Sequence, residues 1–255
     1  MNQPRPISSR QNPHFRRWRS LLDSQGIKRH DQCLVSGNKL RKEISKNPAV
    51  AIQEILLPPS WNLQEDLPSQ SKPYELSNSL FQELDMFGTK EPLLVCGIPA
   101  ISHIDLTRAP KGLEVVCPIG DPGNLGALLR SCRAFDVRTV ILLREAVHPF
   151  HPKVIRASSG AVFVQSLQWG DSIANLDMAE ALRWITALDL AGTNMSTVKW
   201  PKNLRLLIGE EGVGVPPFHF AERLCIPQND ASIPLNATVA GSLALYAYRQ
   251  NLSHQ

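Results

Sequence analysis

Three short blocks hold the residues whose types and spacing could do chemistry. The first, Asp121-Pro-Gly-Asn-Leu-Gly-Ala-Leu-Leu-Arg130, sets Asn124 between Gly123 and Gly126 at an expected strand-to-helix turn. Arg130 follows six residues later, almost two turns into that helix. Glycines there permit positive φ and close backbone approach. The block lacks both the GxGxxG of a dinucleotide site and the GK[ST] of a phosphate loop. The second block, Leu207-Ile-Gly-Glu-Glu-Gly-Val-Gly214, surrounds Glu210 and Glu211 with glycines. Adjacent carboxylates would repel phosphate and suit a hydroxyl, an amine or a cationic ligand, or else form a plain acidic turn. In the third, running from Ile226-Pro227 to Leu235-Asn-Ala-Thr-Val-Ala240, Asn236 and Thr238 open a helix, as ligand contacts or as simple N-caps.

The elements that must position these blocks alternate. Strands are expected at 113–117, 139–143, 163–166, 186–189, 205–208 and 224–226, with helices at 124–135, 153–159, 177–184 and 237–250. Strands separated by helices imply an α/β fold with a parallel sheet and crossover helices, whose ligands gather beyond the strand C-termini. All three blocks begin at such ends. The small, apolar Ala240-Gly-Ser-Leu-Ala-Leu245 run suits a helix packed closely on another element or a second subunit. Upstream lies a smaller α/β unit over 15–104, after a flexible arm at 1–14. Its expected elements are a helix from Phe15 to Leu22 closed by Gly26, a strand at 33–35, a helix at 39–45, a strand ending at Leu57, a helix at 75–86 and a strand at 93–96. A Pro- and Ser-rich loop covers 58–73, the boundary falls at 102–112, and the second domain is 112–255.

Composition bounds the function classes. At 255 residues, 43% hydrophobic and 20% charged, the chain has ordinary soluble globular usage. No apolar run is long enough for a membrane helix, and the Arg-containing start lacks an apolar signal core. Pro4, Pro6 and Pro13 oppose the amphipathic helix of a transit peptide, so a cytoplasmic protein is expected. Five scattered cysteines without CxxC spacing read as reduced thiols rather than a zinc site. The net charge of +4 is uneven: residues 1–47 hold eleven Lys/Arg against three acidic residues, whereas the remainder holds 16 against 20. Phe15 and Trp18 lie within that basic cluster. Cations neutralise phosphates and aromatic faces stack on bases, so Arg16, Arg17, Arg19, Lys28, Arg29, Lys39, Arg41 and Lys42 are candidate RNA contacts; the plain alternative is a solvated arm. His148 and His151, beside Pro149 and Pro152, read as a surface loop that could also touch RNA.

Together the blocks resemble the three motifs of the SpoU (TrmH) class of SPOUT RNA methyltransferases. That pattern is roughly N-P-G-N-x-G-A-x-x-R-T-A, then L-G-x-E-G-x-G, then I-P-M followed by S-L-N-x-S-x-A. Pro152-Lys-Val-Ile-Arg-Ala-Ser-Ser-Gly-Ala-Val-Phe163 resembles the family's P-K-x-I-R-A-S-x-G-A-x-F. The likeness covers about residues 112–250, and the ten positions from Ile226 to Asn236 agree with it. It implies a deep trefoil knot in the C-terminal sheet, an S-adenosyl-L-methionine pocket and a homodimer with its active site at the subunit boundary. Gly209, Ile226 and Leu235 match positions whose backbone surrounds the cofactor, with Leu207, Ile208, Thr238 and Ala240 beside them. Arg130 matches the essential arginine, and Asn124, Glu211 and Asn236 match the other polar motif residues. Residues 19–40 also resemble, more loosely, a ribosomal-protein-like RNA-binding domain.

The resemblance implies methylation of a ribose 2′-hydroxyl of RNA, rRNA before tRNA, without a metal. Arginine is normally fully protonated, so Arg130 is expected to orient the hydroxyl and adjacent phosphate; a general-base role is the family's alternative. Two departures weaken the third motif: Pro234 replaces its first serine and Thr238 its second, while Asp230 and Ile233 replace a glycine and a glutamate. Asp121 replaces the first asparagine of the first motif. A degenerate, RNA-binding member is therefore a second expectation, and a basic-tailed metabolic enzyme a third.

Overall fold

The computed structural model describes residues 3–59, 61, 71–177, 179–209, 214–230 and 233–253. They divide into two compact units, 1–100 with 148–163, and 101–147 with 164–255. The segment 148–163, contiguous in sequence with the second domain, thus packs with the first unit.

The first unit is built on a five-stranded mixed sheet. Its strands are β1 (Arg5–Ile7), β2 (Gln32–Val35), β3 (Ile52–Leu57), β4 (Lys72–Leu76) and β5 (Leu93–Gly97), ordered β1-β4-β3-β5-β2. Helices α1 (Pro13–Ser20), α2 (Ser24–His30), α3 (Asn38–Ser45) and α4 (Asn78–Leu84) connect them, and a later helix, Pro152–Ala157, packs on β2. Four expectations need correction. Residues 5–7 are not a free arm: they pair in parallel with β4, which buries Ile7. Leu76 ends a strand rather than sharing a helix with Leu80 and Leu84, because Lys72–Leu76 buries alternate residues, as one face of a sheet does. Gly26 lies inside α2, whose N-terminus is capped by Asp23. A Cβ at Gly26 would meet the Ser20 carbonyl oxygen at 1.9 Å, so close helix contact explains the glycine. Finally, Phe15 and Trp18 are core residues: the Trp18 Nε1 donates to Glu54 at 2.7 Å, and Tyr74 packs edge-on against its ring.

His148 belongs to this interior. It is 3% exposed, and burial, then the Lys28 and His151 charges, push its pKa down to about 4. The folded state therefore keeps it neutral where the unfolded chain, near 6.5, takes up a proton. Because the unfolded state binds more protons between those values, stability falls as pH drops from 6.5 towards 4, by an amount on the order of 3 kcal/mol. Thermal unfolding should show a smaller loss in His148→Asn than in the parent across that window. Equal losses would show that another group dominates.

The second unit carries a six-stranded sheet in which every pairing is parallel. Its strands are β6 (Leu113–Cys117), β7 (Thr139–Leu142), β8 (Leu167–Trp169), β9 (Ile185–Asn194), β10 (Leu204–Ile208) and β11 (Glu222–Cys225), ordered β11-β9-β10-β6-β7-β8. β6 and β10 are buried at every position, as strands covered on both faces must be. Helices α5 (Pro122–Ala134), α7 (Ala179–Leu182) and α8 (Ala237–Ser253) belong to this unit, while α6 (Pro152–Ala157) is the helix noted above. Residues 163–166 are not the expected strand. Ala161–Phe163 is a 3-10 turn, and the strand begins at Leu167. No helix among the described residues is long and apolar enough to cross a membrane.

Candidate functional site

The site grows from two helix starts. Asp121 caps α5 by accepting from the Asn124 N–H at 2.8 Å, so aspartate in place of the motif's asparagine keeps the turn closed. Asn236 caps α8: its Oδ1 accepts from the Thr238 and Val239 N–H groups. The same side chain donates through Nδ2 to Asn124 Oδ1 at 3.1 Å, and the Thr238 hydroxyl donates to the Asn124 carbonyl at 2.9 Å. Capping and site-building are thus one arrangement, which fixes two helix ends 112 residues apart in sequence. Farther along, Ser131 and Ser242 share a 2.8 Å hydrogen bond between α5 and α8. A Cβ at Gly241 would meet Ile208 Cδ1 at 2.7 Å, which accounts for the small residues there.

Beside these helix starts lies a cavity of about 370 Å³ in the second unit. Of the sequence candidates, Ile208, Gly209, Ile226, Leu235 and Ala240 line it. Leu207 does not: it is buried in the apolar cluster with Val116 and Ile185. Thr238 faces Asn124 rather than the cavity lining. Sequence reasoning missed Leu188, Asp189, Leu190, Val215 and Gln228, which also form the wall. The signal for Asp189 was its place late in an expected strand of a parallel sheet, where ligands collect. Its carboxylate accepts from the Ala191 N–H and pairs with Arg223, which also donates to the Pro216 and Phe218 carbonyls. Pro234 is part of the same wall.

Apolar side chains, backbone edges and one carboxylate suit a flat heterocycle and hydroxyl or ammonium groups. Among the described residues no lysine or arginine lines the cavity, so they offer a phosphate-bearing cofactor no counter-charge there. Gly209 completes the fit: a Cβ on it would come within 2.8 Å of the Gly214 backbone.

Arg130 is exposed on α5, and its side chain makes no hydrogen bond or ion pair among the described residues. Six residues at about 100° each put it on a different face of the helix from Asn124. The structure therefore joins Asn124 to Asn236 and leaves Arg130 outside that pair. Glu211 lies outside the described residues. No group of His, Cys, Asp and Glu side chains able to hold a metal occurs among the described residues.

Two RNA-contact candidates are corrected in the first unit. Arg17 binds Glu54 through Nη2 at 2.7 Å and reaches Gln32, and Arg41 is 2% exposed with Nη2 on Asn38. Both guanidiniums are committed to the fold. Arg16, Arg19, Lys28, Arg29, Lys39 and Lys42 are exposed, with Arg19 near Glu83 and Lys39 near Glu43. Lys153 and Arg156 of α6 add to the exposed basic residues of this unit, though Arg156 lies over the Phe87 ring.

Residues 113–246 match the model of the SpoU rRNA Methylase family. Over 249 residues the chain is 37% identical to Ribosomal RNA small subunit methyltransferase G 2 of Syntrophobacter fumaroxidans, covering 97% of this chain but 49% of that protein. The chain thus spans about half that relative's length, and the relative's name belongs to a protein twice as long. It is 25% identical to the 23S rRNA (guanosine(2553)-2'-O)-methyltransferase RlmP of Bacillus subtilis, over 95% of this chain and 98% of that protein. Among solved structures, an AdoMet-bound rRNA methyltransferase from Sinorhizobium meliloti shares the fold with a TM-score of 0.76 at 20% identity, over 98% and 99% of the two chains. The SpoU methyltransferase AviRb from Streptomyces viridochromogenes, in complex with AdoMet, does so at 0.76 and 22%, over 95% and 100%.

Proposed function

The chain belongs to the SpoU rRNA methylase family, and we propose that it transfers the methyl group of S-adenosyl-L-methionine to a ribose 2′-hydroxyl of RNA, with rRNA as substrate before tRNA. The observation that carries this reading is the mainly apolar cavity, bounded by Ile208, Gly209, Ile226 and Leu235, beside the Asn124–Asn236 bridge. A relative matched over 98% of its length and named as a 23S rRNA 2'-O-methyltransferase supports the substrate class. Bound there, S-adenosyl-L-methionine supplies an electrophilic methyl on a sulfonium. Ile208, Ile226 and Leu235 would enclose its adenine, and Asp189 lies in the wall to meet hydroxyl or ammonium groups. Asn124 and Asn236, tied to each other and to two helix starts, would hold the ribose edge, and Arg130 the hydroxyl and adjacent phosphate. Glu211 would shape the second motif's loop around the ribose. The exposed basic residues of the first unit would grip RNA backbone.

Val239, Leu243 and Tyr246 are 47%, 41% and 52% exposed, and their spacing puts them on one face of α8. A second copy covering that apolar stripe would form the homodimer and could bring the outlying Arg130 to its partner's site. A knotted C-terminal path and a cytoplasmic location complete the proposal.

Calorimetric titration with S-adenosyl-L-methionine, with and without rRNA, should give micromolar binding, and mapping of ribose methylation on that RNA should locate a single modified class. Pro234 is in the cavity wall, so absence of binding under both conditions would establish the degenerate, RNA-binding alternative instead.

A further inference from the structure

A second cavity, of about 510 Å³, opens at the opposite end of the same sheet, where β6, β7, β8 and β10 begin. Gly112, Arg138, Ser166 and Lys202, each just before one of those strands, stand in its wall. Among the described residues Arg133 and Arg249 bring the number of cations in the wall to four, against one carboxylate, Asp136. That carboxylate is already matched, since Arg249 Nη2 binds it at 2.6 Å while Nε holds the Phe135 carbonyl. Arg133, Arg138 and Lys202 form no ion pair among the described residues. Like charges gathered around a concavity repel one another until an anion enters.

A second observation, independent of charge, concerns Gln165 in the same wall. It is nine-tenths buried, and its Nε2 donates to the Val137 carbonyl at 2.9 Å. Its Oε1 is buried with no hydrogen-bond partner. Buried polar atoms are nearly always satisfied, so this acceptor in the cavity wall calls for a donor that the described residues do not supply. The frame around it is fixed: Tyr248 donates its hydroxyl to the Lys202 carbonyl at 2.7 Å, and the Arg138 stem packs on Gly112.

We propose that this cavity is a second ligand site, which takes a nucleotide unit by its phosphate on Arg133, Arg138 and Lys202 and by an N–H or O–H donor on Gln165 Oε1. Guanidinium forks and an ammonium are the side chains that recognise phosphate, and the volume falls in the range of small-molecule pockets. The nucleotide is either free or part of an RNA strand, and both present the same phosphate and donors. The site stands apart from methyl transfer, so it holds or fails independently of that reading.

The test is equilibrium binding to the full chain, using guanosine 5′-monophosphate, inorganic phosphate and a short single-stranded RNA as probes. The variants are Arg138→Ala/Lys202→Ala, whose side chains are exposed and leave the core intact, and Gln165→Leu. The nucleotide should bind the parent at least about tenfold tighter than inorganic phosphate, a preference that Gln165→Leu removes. The double variant should lose nucleotide binding while S-adenosyl-L-methionine binding stays unchanged. If the free nucleotide does not bind but RNA affinity drops about tenfold in the double variant, the unit comes from an RNA strand, and the proposal stands. Parent-like affinity of the double variant for both nucleotide and RNA overturns it, as does phosphate binding equal to the nucleotide's.

Discussion

Replacing Arg130 by alanine should lower methyl transfer by about 10²- to 10⁴-fold while leaving S-adenosyl-L-methionine affinity and thermal stability unchanged. The separation follows from where the side chain sits. Arg130 is exposed, bonds nothing in its own protomer among the described residues, and lines no part of the cofactor cavity. Its loss therefore leaves neither a buried charge nor a gap. A ribose 2′-hydroxyl is a weak nucleophile, so the rate depends on orienting it and assisting its proton. A planar, permanently charged guanidinium can hold both the hydroxyl and the neighbouring phosphate. Arg130→Lys keeps the charge but not the fork, and should recover only part of the rate. Single-turnover methylation with saturating cofactor is the measurement. If Arg130→Ala turned over like the parent, Arg130 would have no place in the reaction, and the Asn124–Asn236 pair would have to act without it.

How much of this site could be read from the chain differs residue by residue. Asn124 and Asn236 were legible twice over, as motif positions and as helix-start residues, because one asparagine can satisfy orphaned N–H groups with Oδ1 and reach a partner with Nδ2. That they bridge 112 residues was invisible, since spacing along a chain says nothing about which helix starts meet. Phe15, Arg17 and Trp18 misled for a physical reason: an amphipathic helix with an aromatic face buries that face, and the arginine among them found Glu54. A basic cluster with aromatics looks the same in one dimension whether it faces RNA or a core. Gly26 shows the same ambiguity, because a helix cap and a close helix crossing both exclude Cβ. Strand β1 escaped notice because three residues with a proline carry no period, and Ile7 alone is buried. The second cavity was illegible altogether. Its walls come from five separated stretches, and its buried amide is ordinary in sequence.

Arg205→Ala should destabilise the second unit by about 3–5 kcal/mol, the cost of stranding a buried charge. Arg205 and Glu114 are register partners on β10 and β6, 1% and 8% exposed at their side chains. The guanidinium donates from Nε to Glu114 Oε2 at 2.8 Å and from Nη1 to the Leu106 carbonyl at 2.8 Å, while Glu114 Oε1 accepts from the Lys111 N–H at 3.0 Å. Each polar end is thus satisfied by the other strand or by the loop before it. Removing the arginine leaves a carboxylate with one backbone donor in a dry sheet, together with the volume of a large side chain. Glu114→Gln keeps the shape but strands the cation, and should also be costly. Replacing both by apolar residues of similar size, Arg205→Met with Glu114→Leu, should come out near neutral or more stable, because desolvating the pair offsets most of its attraction. Urea unfolding of the parent, Arg205→Met, Glu114→Leu and their double variant gives the coupling energy directly. A loss below about 1 kcal/mol for Arg205→Ala would mean that water reaches the pair and that it behaves as a surface bridge. The consequence extends beyond stability. β10 runs from Leu204 to Ile208 and delivers Gly209 to the cofactor cavity, so the ion pair that locks β10 against β6 also fixes where that wall stands. The apolar double variant should therefore keep its fold and bind S-adenosyl-L-methionine like the parent, whereas Arg205→Ala should bind it more weakly even where it remains folded.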